Sequence, residues 1–172
     1  IAALDAVGGD PRGRVAVDAG ASTGGFSQVL LERGAAHVLA IDVGHGQLAS
    51  EIQDNGALTA VEGFNIRDIT REWVLSQLRS PEFPNLVVAD LSFISLTLVL
   101  EALRDAVDPS ADFVLLVKPQ FEVGRTGIRE GIVHDAGLRA DAIGGVLWAG
   151  WDLGLGTAGV ISSPIAGNAG NL

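Results

Sequence analysis

Residues 14–26 read RVAVDAGASTGGF, and this stretch decides the expected fold. Its first six residues form a short β-branched apolar run around one acidic residue, which is typical of a buried strand. Gly20, Gly24 and Gly25 then interrupt the run, and from Phe26 onwards apolar residues recur at helical spacing. A strand that passes through a glycine loop into a helix is the first unit of an α/β fold with a parallel sheet.

The rest of the chain repeats this alternation. Short apolar runs predict strands over residues 14–19, 37–42, 58–62, 85–90, 111–118 and 156–163. Helical periodicity predicts helices over residues 24–33, 46–54, 71–78, 95–107 and 135–152. The predicted fold class is α/β, with a doubly wound, mostly parallel sheet in one domain over residues 1–172. One long connection, residues 119–134, lacks periodicity, and such loops are more often functional than not.

Composition narrows the classes of protein that the chain fits. Its 11 basic and 21 acidic residues give a net charge of −10, which argues against this segment alone gripping a nucleic-acid backbone. The absence of cysteine excludes a disulfide framework, a cysteine zinc cluster and a thiol nucleophile, and the absence of methionine indicates a fragment or a processed product. No apolar run is long enough to span a membrane and no signal peptide is recognisable, so we expect a cytoplasmic protein without a membrane partner.

Polar side chains stand at the carboxyl ends of the predicted strands. They are Asp18, Asp42, Asn65, Asp90 and Lys118, the only lysine of the chain. Ligands of open parallel sheets bind outside these strand ends, so we expect the residues to mark one cleft. An ammonium beside a carboxylate, as at Lys118 and Asp90, suits an alcohol substrate, because it stabilises a hydroxyl group that loses its proton.

The glycine loop favours S-adenosylmethionine as the ligand. Its spacing from Gly20 to Gly25 is G-x-x-x-G-G, which differs from the G-x-G-x-x-G of dinucleotide-binding loops. S-adenosylmethionine has an ammonium group for the Asp18 carboxylate and a carboxylate for the N–H groups that begin the next helix. Asp42, at the end of the second strand, is expected to accept hydrogen bonds from both ribose hydroxyls.

The same loop leaves an alternative open. Residues 20–24 also spell G-x-S-x-G, the nucleophile elbow of α/β-hydrolases, with Ser22 as the nucleophile. Asp90 and His134 follow in the chain order of such a triad, but only 13 residues precede the first strand, too few for the earlier strand that an oxyanion hole needs. A metal site is not predicted, because His37 and His45 have no partners at ligand spacing.

Seven motifs make the sequence resemble a known family. They are DAGASTGGF, HVLAIDVGHGQL, NIRD, VVADLSFISL, VKPQFEVGR, GIVHD and SSPIAGNAGN, in this order along nearly the whole chain. Together they resemble the TlyA (hemolysin A) family of FtsJ-like ribosomal RNA 2′-O-methyltransferases. The resemblance implies a Rossmann-like methyltransferase sheet, S-adenosylmethionine as cofactor and a ribose 2′-hydroxyl of ribosomal RNA as acceptor.

The resemblance also implies roles for individual residues. The residues that would surround the methionine part of the cofactor are Asp18, Gly20, Ala21, Ser22, Thr23, Gly24, Gly25 and Phe26. Asp42 and Val43 would meet the ribose and adenine, and Asn65 and Ile66 the adenine. Asp90 and Lys118 match the second and third members of the family's catalytic Lys-Asp-Lys-Glu tetrad. Arg125 and Arg129, in the long connection, are candidates for RNA phosphate contacts.

Other family features have no counterpart in these 172 residues. They are the first lysine and the glutamate of the tetrad, the last strand of the sheet, and a small N-terminal S4-like RNA-binding domain. We therefore expect a fragment that binds the cofactor but does not methylate RNA alone, with ribosomal RNA contacted through the S4-like domain. The net charge of −10 then reflects a catalytic domain separated from a basic partner domain.

The family name leaves a non-enzymatic alternative, a haemolysin or binding module. The predicted helix over residues 135–152 contains two tryptophans but also three aspartates and only one arginine, so anionic lipid would repel it. The sequence leaves the oligomeric state open.

Overall fold

A computed structural model describes residues 2–78, 82–124, 128 and 131–165 of the chain. Five parallel strands form one sheet in the order β3-β2-β1-β4-β5. The strands are β1 (Val15–Ala19), β2 (His37–Ile41), β3 (Leu58–Val61), β4 (Leu86–Ala89) and β5 (Asp112–Leu115). This arrangement confirms the predicted doubly wound α/β fold. The strand order reverses between β1 and β4, and the carboxyl edge at such a reversal is where open α/β sheets bind ligands.

The central strands are buried along their whole length. Every residue of β1 and β4 is buried, as expected for a parallel sheet that is covered on both faces. Apolar side chains account for this burial except at one position, Asp18, which is 0% exposed in the middle of the sheet. Burying a carboxylate costs free energy, so its presence in the central strand calls for a functional explanation.

In the described ranges, seven helices precede, connect and follow the strands. They are α1 (Ala2–Val7), α2 (Gly25–Glu32), α3 (Ser50–Gln53), α4 (Arg71–Gln77), α5 (Leu100–Ala106), α6 (Pro119–Glu122) and α7 (Ala136–Asp152). Side chains cap two of them: Thr70 accepts a hydrogen bond from Trp73 N–H at 3.2 Å, and Asp135 accepts one from Leu138 N–H at 3.0 Å. In the part of the chain that the structure describes, no helix is long and apolar enough to span a membrane.

The chain divides into two compact units. The sheet unit consists of Asp10–Leu91 and Glu101–Leu116, and it holds all five strands. The second unit comprises Ile1–Gly9, Ser92–Leu100 and Val117–Leu172. Within this second unit, α6 packs against α7, and α7 also contacts a 3-10 turn formed by Leu96–Leu98.

The predicted sixth strand is wrong. Residues 156–163 form neither a helix nor a strand, and apart from one half-buried residue they are exposed, with Val160 58% exposed. An apolar, β-branched run becomes a strand only where a neighbouring strand pairs with its backbone, and two glycines further weaken this one.

Three predicted elements are shorter or divided. The fifth strand ends at Leu115 instead of Lys118, and the weak helix over residues 46–54 is reduced to α3. The predicted helix over residues 95–107 splits, because Ser95 caps the Leu96–Leu98 turn before α5 begins. The long connection over residues 119–134, whose sequence predicts no helix or strand, begins with α6.

Candidate active site

The loop after β1 depends on two glycines. Gly20 has φ +83°, and a Cβ atom there would lie 2.6 Å from the carbonyl oxygen of Asp90. Gly24 has φ +90°, and a Cβ atom there would overlap the side chain of Ile52 in α3. Residues with side chains rarely adopt these angles, and neither position has room for one. The loop therefore lies tightly against the end of β4 and against α3.

Gly25 differs from these two because a Cβ atom there would meet nothing within 4 Å. It is the first residue of α2, whose ladder begins with a 2.8 Å hydrogen bond from Gln28 N–H to Gly24 C=O. The N–H groups of Gly25 and Phe26 precede this bond and have no acceptor within the helix, whereas Ser27 N–H bonds to Asp18. Thr23 and Phe26 beside them are exposed. The start of α2 thus offers open space and backbone donors to an anionic group.

Asp18 is the buried acid of the site. Its Oδ2 accepts a 2.7 Å hydrogen bond from Ser27 Oγ, while its Oδ1 is buried with no hydrogen-bond partner among the described residues. The pKa of Asp18 is raised from 3.8 to about 6, mainly by burial. Hydrogen bonds from Ser27 oppose this rise, and the Asp90 and Asp42 carboxylates add to it. An acidic oxygen without a partner in a negative environment is suited to a cationic donor.

Asp42 joins the glycine loop to the loop after β2. Its Oδ2 accepts a hydrogen bond from Ser22 N–H at 2.8 Å, and its Oδ1 accepts one from Gly44 N–H at 2.7 Å. Each oxygen keeps a further lone pair, so the half-buried carboxylate can still accept from a ligand hydroxyl. A shallow depression opens beside it, lined by Ala21, Ser22, Ala40, Asp42, Leu48, Ala60, Val61 and Glu62.

The remaining predicted cofactor residues differ in exposure. Val43 is 70% exposed next to Asp42, which suits contact with a flat apolar group. The Asn65 side chain accepts a hydrogen bond from Arg67 N–H at 3.1 Å and so caps a 3-10 turn. Ile66 is buried at 7% exposure, so its side chain belongs to the core.

Three side chains that the sequence analysis did not select contribute to this region. Ser27 binds Asp18, as described above, and Gln47 Oε1 accepts a 3.2 Å hydrogen bond from Ser22 Oγ. Glu62 accepts hydrogen bonds from Gly46 N–H at 2.8 Å and from Gln47 N–H at 3.3 Å. Ser27 and Gln47 lie next to or within quoted motifs and Glu62 ends the predicted strand over residues 58–62, and these positions are their only sequence signal. The Ser22 hydroxyl donates to an amide oxygen, which gives no support to its role as a hydrolase nucleophile.

The two predicted catalytic residues lie in different units. Asp90 directly follows β4, is half-buried, and donates its N–H to Ala19 C=O at 3.0 Å. Lys118 directly precedes α6, and its Nζ donates to Ser92 Oγ at 2.9 Å. Strands β4 and β5, which lead to these residues, pair in parallel. The shared cleft of Asp90 and Lys118 stays a prediction.

The remaining predictions concern RNA contacts and metal binding. Arg125 and Arg129 lie outside the described residues. Within the described ranges, no group of three or more His, Asp or Glu side chains is arranged to hold a metal ion. The sheet unit therefore holds the glycine loop, the start of α2 and the carboxylates of Asp18, Asp42 and Asp90, while Lys118 belongs to the second unit.

Comparison with known proteins agrees with the resemblance. A family profile described as FtsJ-like methyltransferase matches residues 1–172. The chain is 46% identical over 173 residues to the 16S/23S rRNA (cytidine-2′-O)-methyltransferase TlyA of Mycobacterium tuberculosis, covering 100% of this chain and 62% of that protein. It is 35% identical over 160 residues to Hemolysin A of Brachyspira hyodysenteriae, covering 92% of this chain and 65% of that protein. The chain thus spans less than two thirds of these relatives.

Solved structures show the same fold. A Lactococcus lactis protein with a provisional hemolysin assignment superposes with a TM-score of 0.93 at 36% identity, covering 99% of this chain and 79% of that one. An S-adenosylmethionine-dependent methyltransferase from Mesorhizobium loti has a TM-score of 0.55 at 19% identity, covering 72% of this chain and 55% of that one. The second likeness supports the fold alone. By the match of the family profile along its whole length, the chain belongs to the FtsJ-like methyltransferase family.

Proposed function

We propose that this chain is the catalytic domain of an S-adenosylmethionine-dependent enzyme that methylates a ribose 2′-hydroxyl of ribosomal RNA. The observation that carries the cofactor assignment is the buried Asp18 Oδ1 without a hydrogen-bond partner among the described residues. The name of the 46% identical M. tuberculosis relative supports the substrate class. Action on ribosomal RNA also supports a cytoplasmic location.

The residues of the sheet unit fit the cofactor in its separate parts. The Asp18 carboxylate would bind the methionine ammonium, and the N–H groups at the start of α2 would bind the methionine carboxylate. The missing side chain at Gly25 leaves the space that this carboxylate needs. Asp42 would accept from the ribose hydroxyls, while Val43 and Asn65 would face the adenine. The buried Ile66 would contribute through its backbone.

A pyrophosphate cofactor fits the same residues less well. Asp18, Asp42 and Asp90 stand close enough for the other two carboxylates to raise the pKa of Asp18. This negative field favours a ligand that brings a positive charge and disfavours two bridging phosphates. S-adenosylmethionine brings both an ammonium and a sulfonium.

The chain's two catalytic candidates, Asp90 and Lys118, are expected to act on the acceptor hydroxyl. When bound, S-adenosylmethionine supplies a methyl group that its sulfonium activates. The ribose hydroxyl must lose its proton as it attacks, and Lys118 would take this proton or stabilise the negative charge that develops on the oxygen. In this proposal Asp90 and Lys118 are the second and third residues of the Lys-Asp-Lys-Glu tetrad that the family resemblance implies.

Ribosomal RNA would be held largely by other parts of the protein. A net charge of −10 disfavours RNA binding by this segment, because phosphate contacts need a basic surface. We assign this task to an S4-like domain of the complete enzyme, with Arg125 and Arg129 as additional phosphate contacts.

Methyl transfer by the complete enzyme tests this function. The complete enzyme is incubated with ribosomal RNA and S-adenosylmethionine carrying a labelled methyl group, and the RNA is then hydrolysed with alkali. A 2′-O-methyl group blocks alkaline cleavage of the next phosphodiester bond, so the label should remain in an uncleaved dinucleotide. Label in a base, or no label in the RNA, would contradict the proposal.

A further inference from the structure

Two sequence motifs meet in the second unit through a series of contacts. Lys118 Nζ donates to Ser92 Oγ at 2.9 Å, and the rings of Phe121 and Phe93 lie 5.2 Å apart. The partners follow each other in the same order along both motifs. The motifs are DLSFIS (residues 90–95) and KPQFEVG (residues 118–124).

Glu122 completes this series. Its carboxylate accepts a hydrogen bond from Ser95 Oγ and another, at 2.9 Å, from Leu96 N–H. Leu96 N–H begins the Leu96–Leu98 turn and would otherwise have no partner within that turn. A charged acceptor makes stronger hydrogen bonds than a neutral one, so Glu122 attaches the end of α6 firmly to this turn.

The segment held in this way includes a strained residue. Phe93 has φ +65°, an angle that residues with side chains rarely adopt. Such a conformation persists only where its surroundings hold it, and it is often found at functional sites. Ser92 and Ser95, on either side of Phe93, are held by Lys118 and Glu122.

Lys118 and Glu122 belong to one rigid piece of backbone. Phe121 N–H donates to Lys118 C=O at 2.8 Å, and Val123 N–H donates to Pro119 C=O at 3.0 Å. Proline as the first residue of α6 further restricts this turn. A carboxylate that fixes one end of the turn therefore also fixes the backbone from which the Lys118 side chain extends.

We propose that Glu122 is a positioning residue, which holds α6 against the Ser92–Leu98 segment so that the Lys118 ammonium stays on Ser92 Oγ. The importance of this position for catalysis rests on the role proposed above for Lys118. The positioning itself does not, because it concerns only contacts within the second unit.

Because the chain has a single lysine, the surroundings of the Lys118 ammonium can be observed directly. In the 172-residue chain, lysine labelled with ¹³C and ¹⁵N gives one side-chain signal in an NMR spectrum, which belongs to Lys118. Ser92→Ala removes the hydroxyl that accepts this hydrogen bond from the ammonium, and it defines the displaced signal. Glu122→Ala should move the signal in the same direction, and Glu122→Gln, which keeps an acceptor oxygen, should leave it near the wild-type position.

Two matched controls separate positioning from general stability. Arg139 donates to Val133 C=O at 2.9 Å and to His134 C=O at 2.8 Å in the same unit, so Arg139→Ala removes structural hydrogen bonds away from Lys118. Asp141→Asn removes an exposed charge of α7. Neither should move the lysine signal. If Glu122→Ala does not fold, Ser95→Ala, which removes one of its two donors, replaces it.

Kinetics of the complete enzyme add the consequence for catalysis. Glu122→Ala should lower kcat by about 10- to 100-fold, as expected for a misplaced catalytic group, with KM for RNA and Kd for S-adenosylmethionine unchanged. The positioning role would be overturned if Glu122→Ala left the lysine signal in place, or if Arg139→Ala moved the signal equally. A moved signal with unchanged kcat would refute its importance for catalysis. No methyl transfer by the wild-type enzyme would instead refute the proposed function.

Discussion

Replacing Asp18 by asparagine should make the chain more stable and its cofactor binding weaker. The pKa of Asp18 is raised from 3.8 to about 6, a difference of about 2 pKa units that corresponds to roughly 3 kcal/mol. Since the folded state binds this proton more tightly than the unfolded state, the cost is absent below about pH 4, grows as the pH rises, and is complete above about pH 6. Asparagine has the same shape, keeps an acceptor for Ser27 and carries no charge to bury.

Urea unfolding at a series of pH values measures this effect. Relative to wild type, Asp18→Asn should gain up to about 3 kcal/mol at pH 7 and almost nothing at pH 4. Asp54→Asn, at an exposed position, is the matched control and should show no such pH-dependent difference. A variant that is less stable than wild type at pH 7, or a gain that is the same at all pH values, would refute the electrostatic explanation of Asp18.

Three further results are expected. Gly25→Ala should leave the free energy of unfolding nearly unchanged and weaken S-adenosylmethionine binding, because its Cβ would enter open space. Gly20→Ala should instead destabilise the chain by at least about 2 kcal/mol, because Gly20 has a positive φ and its Cβ would meet the Asp90 carbonyl. Urea unfolding measures the stability of both variants, and calorimetry measures their cofactor binding. Calorimetry as a function of pH should show affinity for S-adenosylmethionine falling by up to about tenfold for each pH unit below 6, since protonated Asp18 offers the ammonium no charge, and a flat profile would contradict this role. In the complete enzyme, Lys118→Ala should abolish methyl transfer with cofactor affinity unchanged, and equal loss of both would make Lys118 a structural residue.

Local patterns were sufficient to predict most of the fold. The strand that leads into the glycine loop, the four strands after it and α7 are all specified by short-range periodicity, and the structure contains them with small shifts of their ends. The predicted strand over residues 156–163 shows the limit of such patterns. Its composition suits a strand, but strand formation depends on a pairing partner, which local sequence does not reveal.

The candidate site was predictable in its strand-end residues and less so in their interactions. Asp18 and Asp42 were expected at the carboxyl edge of the sheet, where the structure places them. The burial of Asp18 against Ser27, the two N–H groups held by Asp42 and the contact of Glu122 with Ser95 all depend on three-dimensional packing. Residue types alone could not distinguish a carboxylate with a buried oxygen that lacks a described partner from one that holds a loop.

Calorimetric titration of the 172-residue chain with S-adenosylmethionine is the most direct test of whether the chain binds this cofactor through Asp18. The structure predicts saturable binding at one site, at least about tenfold weaker binding to Asp18→Asn, and no heat with NAD. Asp54→Asn should bind as wild type does. A folded chain that gives no heat with S-adenosylmethionine, that binds NAD instead, or whose affinity is unaffected by Asp18→Asn would contradict the claim.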